Sequence, residues 1–335
     1  MTLILAKGFV ALVPVVAHLL VLLAMDGYKL VRVRTVLVSV GFGGVAALGS
    51  QMSNDALLGA TQLTLADYSF TVAPLVEEAF KASWLIFLIS SRRLGFLVDA
   101  AILGFAVGVG FALAENLLFL SLRPEAGLLV WVVRGLGTAV MHGSTMVLFT
   151  VLAQAACERS ARVRPWFFLG PFILAVAVHA IFNRFFISPV VSAAGLVVGL
   201  PALMYLVFRL GDRSLQNWLG EGFQTDSDLL EAINEGQLTQ TPVGTYLLTL
   251  QEKFPPEIVA DMFCLLKITV ELSIEAKGLL MMRKQGFDVG PSGETREKLA
   301  EVAFLERAIG PIGRLAVGPL LPRGRKDFWQ QQLLE

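Results

Sequence analysis

The chain has 335 residues, 55% of them hydrophobic and 16% charged, with a mean hydropathy of +0.69. Water-soluble domains carry about 25% charged residues, so this is the composition of an integral membrane protein. Its 27 basic and 27 acidic residues divide unevenly, 14 Lys/Arg against 9 Asp/Glu in residues 1–209 and 13 against 18 in residues 210–335, and neither half has the basic excess of a nucleic-acid binder.

A membrane span needs about 20 mostly apolar residues. Seven segments qualify: 3–25, 35–52, 68–90, 95–121, 127–156, 166–187 and 190–209. The first has no basic region before it and no clear cleavage site, so it is expected to be a retained helix. The second is short and rich in glycine (Gly41, Gly43, Gly44, Gly49), and the fifth is long enough to tilt.

Basic residues fall in alternate loops. Lys29, Arg32 and Arg34 follow the first segment, Arg92 and Arg93 the third, Arg159, Arg162 and Arg164 the fifth, and Arg209 and Arg213 the seventh. The positive-inside bias puts the N-terminus outside and the C-terminus in the cytoplasm. The chain then divides into a transmembrane bundle, 1–209, and a cytoplasmic helical domain, 210–335. In the latter, Asp226 or Ser227 is expected to cap a short helix ending at Gly236. Pro255-Pro256 opens a helix that Gly286 stops, and Ser292 opens another that Gly310 and Pro311 end. A Gly/Pro/Arg-rich tail, expected to be loosely ordered, follows. This region carries no catalytic signature, and a docking or stabilising role is expected for it. Cys157 and Cys264 form neither a disulfide framework nor a CxxC metal motif.

Six ionisable side chains interrupt the apolar segments: Glu77, Glu78 and Lys81 in TVAPLVEEAFKASWLIFL, Glu115 in GFALAENLLFL, His142 in VMHGSTMVLF, and His179 in AVAVHAIFNRFF. A charge at mid-bilayer costs about 2.5–3.5 kcal/mol on insertion scales. The four charged groups would therefore cost on the order of 10 kcal/mol facing lipid, so they must turn inward and pair. Glu77 and Lys81 share a helix face at i,i+4. Adjacent carboxylates cannot both ionise cheaply in a low dielectric unless a metal or Lys81 holds them as anions, which is a setting for a general base. The alternative is a structural Glu–Lys pair.

Glu115, followed by Asn116, lies on a helix whose Gly104, Gly108 and Ala112 let a neighbouring backbone approach. His142 follows Arg134 by eight residues, about two turns. Arg134 either holds a carboxylate or a substrate carbonyl, or snorkels to the outer interface, the reading favoured by its place early in the helix. His179 and Asn183 share a face at i,i+4. His18, isolated in the first segment, is expected to be interhelical glue. On the inferred topology four helices bring the acids and histidines to one layer, within roughly 10 Å in depth, in the outer half of the bilayer.

The ordered set EEAFK (77–81), FALAEN (111–116), His142 after Arg134, and HAIFN (179–183) resembles the PrsW family of intramembrane proteases. That family is similar to the CAAX-processing endopeptidase and bacteriocin-immunity superfamily, whose CAAX-type members have Arg after the paired acids and His where Glu115 stands. The resemblance covers residues 68–187. It implies cleavage of a membrane-anchored protein near its transmembrane segment, in bacteria often an anti-sigma factor cut on the extracytoplasmic side. Localisation in a bacterial cytoplasmic membrane follows. It also implies that the paired acids and the last His carry the chemistry, with a divalent metal, commonly zinc.

The expectation is thus an all-α polytopic intramembrane protease. Glu77 or Glu78 activates water, and His179 with Glu115 and His142 binds a metal or positions that water. Asn183 stabilises the oxyanion, Lys81 sets the ionisation of the acids, and Asn116 and Arg134 support. A metal-free route through the same residues is equally consistent. A proton- or cation-coupled transporter is the alternative. It needs polar residues on both sides of the site, whereas the inner halves of these helices (WLIFLI, AILGF, MVLFTVLA) are apolar apart from Asp99.

Overall fold

The structure is a computed structural model and describes residues 2–27, 31–158, 163–186, 188–287, 289–321, 330 and 333–334. Lys29, Arg159 and Arg162 of the loop-charge pattern lie outside these residues, as does most of the Gly/Pro/Arg-rich tail. Among the described residues every regular element is helical: α1 (Thr2–Met25), α2 (Val33–Ala60), α3 (Leu65–Ser90), α4 (Leu97–Leu122), α5 (Leu128–Glu158), α6 (Trp166–Arg184), α7 (Pro189–Asn234), α8 (Pro242–Leu250), α9 (Pro256–Lys284), α10 (Gly293–Ala308) and α11 (Gly310–Val317). Six of them, α1, α2, α4, α5, α6 and α7, are long and apolar enough to cross a membrane. Helix α3, the remaining expected span, is equally long but carries Asp67, Glu77, Glu78 and Lys81. It packs within the bundle against α2, α5 and α6.

The chain forms two compact units, Met1–Gly211 and Asp212–Glu335. In the first, α4 is the central helix. Every residue from Asp99 to Ala112 is buried, as expected of a helix that is apolar all round and enclosed by protein. Glycines allow this enclosure. A Cβ built on Gly43 of α2 would lie 2.0 Å from Val107 O, and one on Gly110 would lie 1.8 Å from Val40 O. On the opposite side Gly104 and Gly108 admit the α5 backbone at Met146 O and His142 O, 2.7 and 2.4 Å from the built atoms. The glycines that weakened α2 as a sequence-predicted span therefore include part of its packing surface.

Three boundaries differ from expectation. Helix α2 extends to Ala60, because Asn54 and Asp55 are accommodated at its end by Tyr68 and Gln51 side chains at 3.0 and 2.8 Å. Helix α7 continues through Asp226 and Ser227 to Asn234, so neither caps a new helix. No proline interrupts it after Pro201, and Gln216–Asp212 and Gln224–Asp228 i,i+4 bonds of 2.7 and 2.6 Å support its polar stretch. Asp226 instead accepts from Lys277 at 2.6 Å. Gly310, in the left-handed region at φ +68°, ends α10, but Pro311 sits in the first turn of α11 and starts it rather than closing the domain. Helix α8 is capped by Thr241, whose hydroxyl accepts from Gly244 N at 3.1 Å.

In the second unit α9 supplies the buried face, with Met262, Leu265, Leu266, Val270, Ala276 and Leu280. The N-terminal turn of α10 is pinned to it. Glu275 accepts from Thr295 Oγ1 at 2.5 Å and Ser292 N at 3.0 Å, and Lys298 lies 2.8 Å from Glu271.

Candidate active site

Helices α3, α4, α5 and α6 bring Glu77, Glu78, Lys81, Glu115, His142 and His179 into one cluster. Glu78 and Lys81 are fully buried, one turn apart on α3. Glu78 Oε1 accepts from the Lys81 ammonium, from His179 Nδ1 at 2.7 Å and from Thr145 Oγ1 at 3.4 Å. Its second oxygen, Oε2, is buried without a hydrogen-bond donor. The Lys81 ammonium also lies 3.1 Å from His142 Nδ1 and 4.7 Å from the Phe111 ring centre. His142 Nε2 lies 2.9 Å from Glu115 Oε2. Glu77 is 17% exposed, and its Oε2 stands 3.7 Å from His179 Nε2.

These contacts orient both imidazoles. An ammonium has only donors, so His142 Nδ1 accepts from Lys81 and its proton resides on Nε2, facing Glu115. Ionised Glu78 has only acceptors, so His179 donates to it from Nδ1, and its Nε2 faces Glu77. The rings meet edge to face at 5.0 Å.

Arg134 does not snorkel outward. Its Nη2 lies 3.1 Å from Glu115 Oε1, its Nε donates to Asn116 Oδ1 at 2.9 Å, and its guanidinium covers the Phe119 ring at 4.2 Å. Asn116 passes the contact on to Ala11 O of α1 at 2.9 Å. The cause is a π-helical segment, Val133–Thr138, within α5. Eight residues make about 2.2 α-helical turns, and the wider i→i+5 turns absorb that excess. Arg134 and His142 consequently grip opposite oxygens of one carboxylate, Glu115.

Asn183, one turn beyond His179, donates to Ser69 O at 3.1 Å and ties α6 to α3. Thr145 was not singled out from the sequence. Its only sequence signal is its place one turn after His142. His18 Nδ1 is 2.7 Å from Pro14 O of its own helix, and its ring meets Phe105 of α4 at 6.5 Å between centres. Asp99 lies apart from the cluster and accepts from Phe96 N and Gly95 N at 3.1 and 3.3 Å.

A cavity of about 730 Å³ opens beside the cluster, with Ser69, Glu115, Arg134 and Asn183 among its polar walls and Leu129, Val130 and Val190 among its apolar ones.

The donor set fits a divalent metal. Among the described residues Glu77, His142 and His179 each offer one ligand atom, all within 4.8 Å of one another. Ligand atoms around a tetrahedral zinc stand about 3.4 Å apart, and the His179 Nε2–Glu77 Oε2 pair is already near that spacing. The Nδ1–H of His179 on Glu78 is the outer-sphere bond that orients a ligating imidazole. Glu115 faces the other nitrogen of His142 and is held by Arg134.

A membrane-embedded helical bundle with a buried Glu/His/His group and an adjoining carboxylate is the framework of an intramembrane metal-dependent hydrolase. Residues 30–210 match the PrsW family intramembrane metalloproteases. The match spans more than half of the chain, which therefore belongs to that family and is a peptidase. No curated protein and no solved structure matches the chain.

Proposed function

We propose that the chain hydrolyses a peptide bond of a membrane-anchored protein, with Glu77, His142 and His179 as metal ligands and Glu78 as the base; His142 would ligate through Nδ1, giving up the bond from the Lys81 ammonium, which Glu78 retains. The observation that carries this reading is the unpaired, buried Glu78 Oε2 beside the Glu77/His142/His179 group. Glu77 replaces Glu115 as the third ligand because Glu115 is already held by Arg134 and His142 Nε2. A divalent metal there, zinc by its ligand chemistry, supplies Lewis acidity toward the scissile carbonyl and a bound water.

Glu78 Oε2 takes a proton from the attacking water as the water oxygen bonds to the carbonyl carbon. It then delivers that proton to the leaving nitrogen as the C–N bond breaks. Lys81 and His179 both donate to Glu78 Oε1, keep the carboxylate anionic and aim its free oxygen. Asn183 uses one of its two amide protons on Ser69 O, which leaves the second for the developing oxyanion.

The substrate is approached from the extracytoplasmic side. Glu115 and His179 lie seven and five residues before the ends of α4 and α6, about 10 and 8 Å by helical rise. Those ends are opposite the ones carrying Arg92, Arg93 and Arg164, which the positive-inside rule places in the cytoplasm.

The test compares membranes of cells expressing wild type and Glu78→Gln, scoring new protein termini by mass spectrometry. Metal content of the purified proteins is measured in parallel. Termini beside transmembrane segments should appear only with wild type. Glu77→Gln and His179→Ala should lose metal, while Glu78→Gln and Glu115→Gln retain it. Identical termini from folded wild type and Glu78→Gln would overturn the assignment of the base, and metal retained in Glu77→Gln would overturn that of the ligand.

A further inference from the structure

The C-terminal end of α9 carries apolar side chains that its own unit leaves uncovered. Met281, Met282 and Phe287 are 41, 42 and 62% exposed. Phe287 is held in place by the backbone. Gly286, at φ +88°, stops the helix and donates its N–H to Arg283 O at 2.9 Å, while Phe287 N–H donates to Met282 O at 3.1 Å. This pair of bonds is the glycine-terminated helix cap that sets the residue after the glycine beside the last turn. Phe287 and Met282 are therefore neighbours. Arg283 and Lys284 follow Met282 directly in the same turn.

Two ion pairs within this unit set the direction of α9. Lys284 Nζ lies 3.0 Å from Asp212, and Lys277 Nζ lies 2.6 Å from Asp226. On α7, Asp226 stands about 21 Å beyond Asp212 by helical rise. The two helices thus run antiparallel, and α9 ends toward the place where α7 leaves its apolar stretch. That exit is marked on α7 itself. Arg209 Nε donates to Tyr205 Oη at 2.8 Å, and its guanidinium stands 5.3 Å from the Tyr205 ring centre. Both residues are exposed, and Tyr with Arg at the end of an apolar segment is an interfacial anchor. Asp212 is only about 4.5 Å past Arg209. Phe287, which continues from Lys284 toward the bilayer, falls at the level of the headgroups.

Depth and charge together select the occupant. An apolar patch at the boundary of headgroups and acyl chains, with basic residues beside it, fits a lipid surface. Residues 210–335 hold 13 Lys/Arg against 18 Asp/Glu, so the run of Arg283 and Lys284, with exposed Arg213 next to Asp212, is a local feature of an acidic unit. Three apolar side chains bind a bilayer weakly from solution. Here α7 already holds them at its surface, so weak insertion suffices.

We infer that Met281, Met282 and Phe287 form a membrane-docking tip. They insert into the leaflet at which α7 exits, the cytoplasmic one by the positive-inside rule, with Arg213 and Arg283 at the lipid phosphates. The inference does not depend on the protease reading.

The test uses full-length protein at one copy per lipid nanodisc, with exposed Cys264 replaced by Ser. A polarity-sensitive dye is attached at Met282→Cys, and Cys157 is buried and takes no label. The discs mix phosphatidylcholine and phosphatidylglycerol, with nitroxide-bearing acyl chains as quencher. Quenching at Met282→Cys should be roughly twofold or more. A dye at Leu315→Cys, exposed on α11, should be unaffected. Its neighbour Gly313 packs against Met262, which precedes Lys284 by about 33 Å along α9. Adding Phe287→Asp should abolish quenching at Met282→Cys while the melting temperature stays that of wild type. Absence of quenching at Met282→Cys in a folded protein, or equal quenching at Leu315→Cys, overturns the inference. Equal quenching in discs of phosphatidylcholine alone overturns the part given to the arginines. A label shielded only in discs that hold two copies assigns the tip to a second chain and also overturns it. If Met282→Cys melts early, the dye at Met281→Cys decides by the same criterion.

Discussion

Gly108→Ala offers a direct test of how packing sets the chemistry. The added Cβ would lie 2.4 Å from His142 O and 2.5 Å from Gly143 Cα and N, all of them backbone atoms. No side chain can swing aside, so α4 and α5 must part by about 1 Å to reach ordinary contact at 3.4 Å. If that shift falls on the cluster, the 2.9 Å His142–Glu115 contact, which joins these two helices, stretches beyond hydrogen-bond range. Overpacking of this kind costs about 1–3 kcal/mol of stability. A misplacement of about 1 Å costs on the order of 100-fold in rate. Gly41→Ala is the control, because a Cβ there meets nothing within 4 Å and alanine favours the helix by roughly 0.5–1 kcal/mol. Thermal unfolding of the purified proteins and their initial rates of substrate cleavage give the two readouts. Wild-type melting and rate in Gly108→Ala would refute the argument, as would an equal loss in Gly41→Ala.

Two further outcomes follow from buried or partly buried pairs. Lys81→Met removes the ammonium from a fully buried carboxylate and should cost about 3–5 kcal/mol in unfolding free energy. Adding Glu78→Gln should restore much of that stability without restoring cleavage, and a stable Lys81→Met single variant would contradict the pairing. In the second unit, burial opposes ionisation of Glu275, but hydrogen bonds from Thr295 and Ser292 and the charge of Lys298 outweigh it and hold the carboxyl below its usual 4.5. A depressed folded pKa adds stability above the unfolded value and loses it as pH falls through the folded one. Protection factors of the α10 amides in the full-length chain, with exchange rates corrected for their intrinsic pH dependence, should therefore fall as pH drops below about 4.5. Glu275→Gln should flatten that response, and an unchanged pH profile in the variant would count against it.

The sequence made the cluster's membership legible for an energetic reason. Glu77, Glu78, Lys81 and Glu115 are too costly to face lipid, so each announced an inward-facing partner, and helical rise put those partners at one depth. The pairings within the cluster were less accessible. Arg134 was assigned to the interface from its place early in its helix, an argument from depth alone that takes no account of the Glu115 carboxylate on the neighbouring helix. Asn183 has a backbone carbonyl as its partner, and Ser69 has no side-chain property that advertises this. Thr145 is one of many hydroxyl residues in apolar helices. The continuation of α7 past Arg213 was missed because falling hydropathy was taken as the end of a helix, although polarity ends a span and not a helix.

The π segment also separates two properties that are usually treated together in a membrane helix. Inserting one residue into Val133–Thr138 lengthens α5 by only about 1.5 Å and leaves its summed hydropathy almost unchanged, so the altered chain would still insert and span. The wider turns there already hold one residue more than two α-helical turns, so the added residue finds no slack, rotates everything before it by about 100° relative to His142 and takes Arg134 off Glu115. Membrane insertion responds to a sum along the segment, whereas the site responds to an angle. A one-residue insertion here would thus be silent to every hydropathy measure and still dismantle the carboxylate clasp.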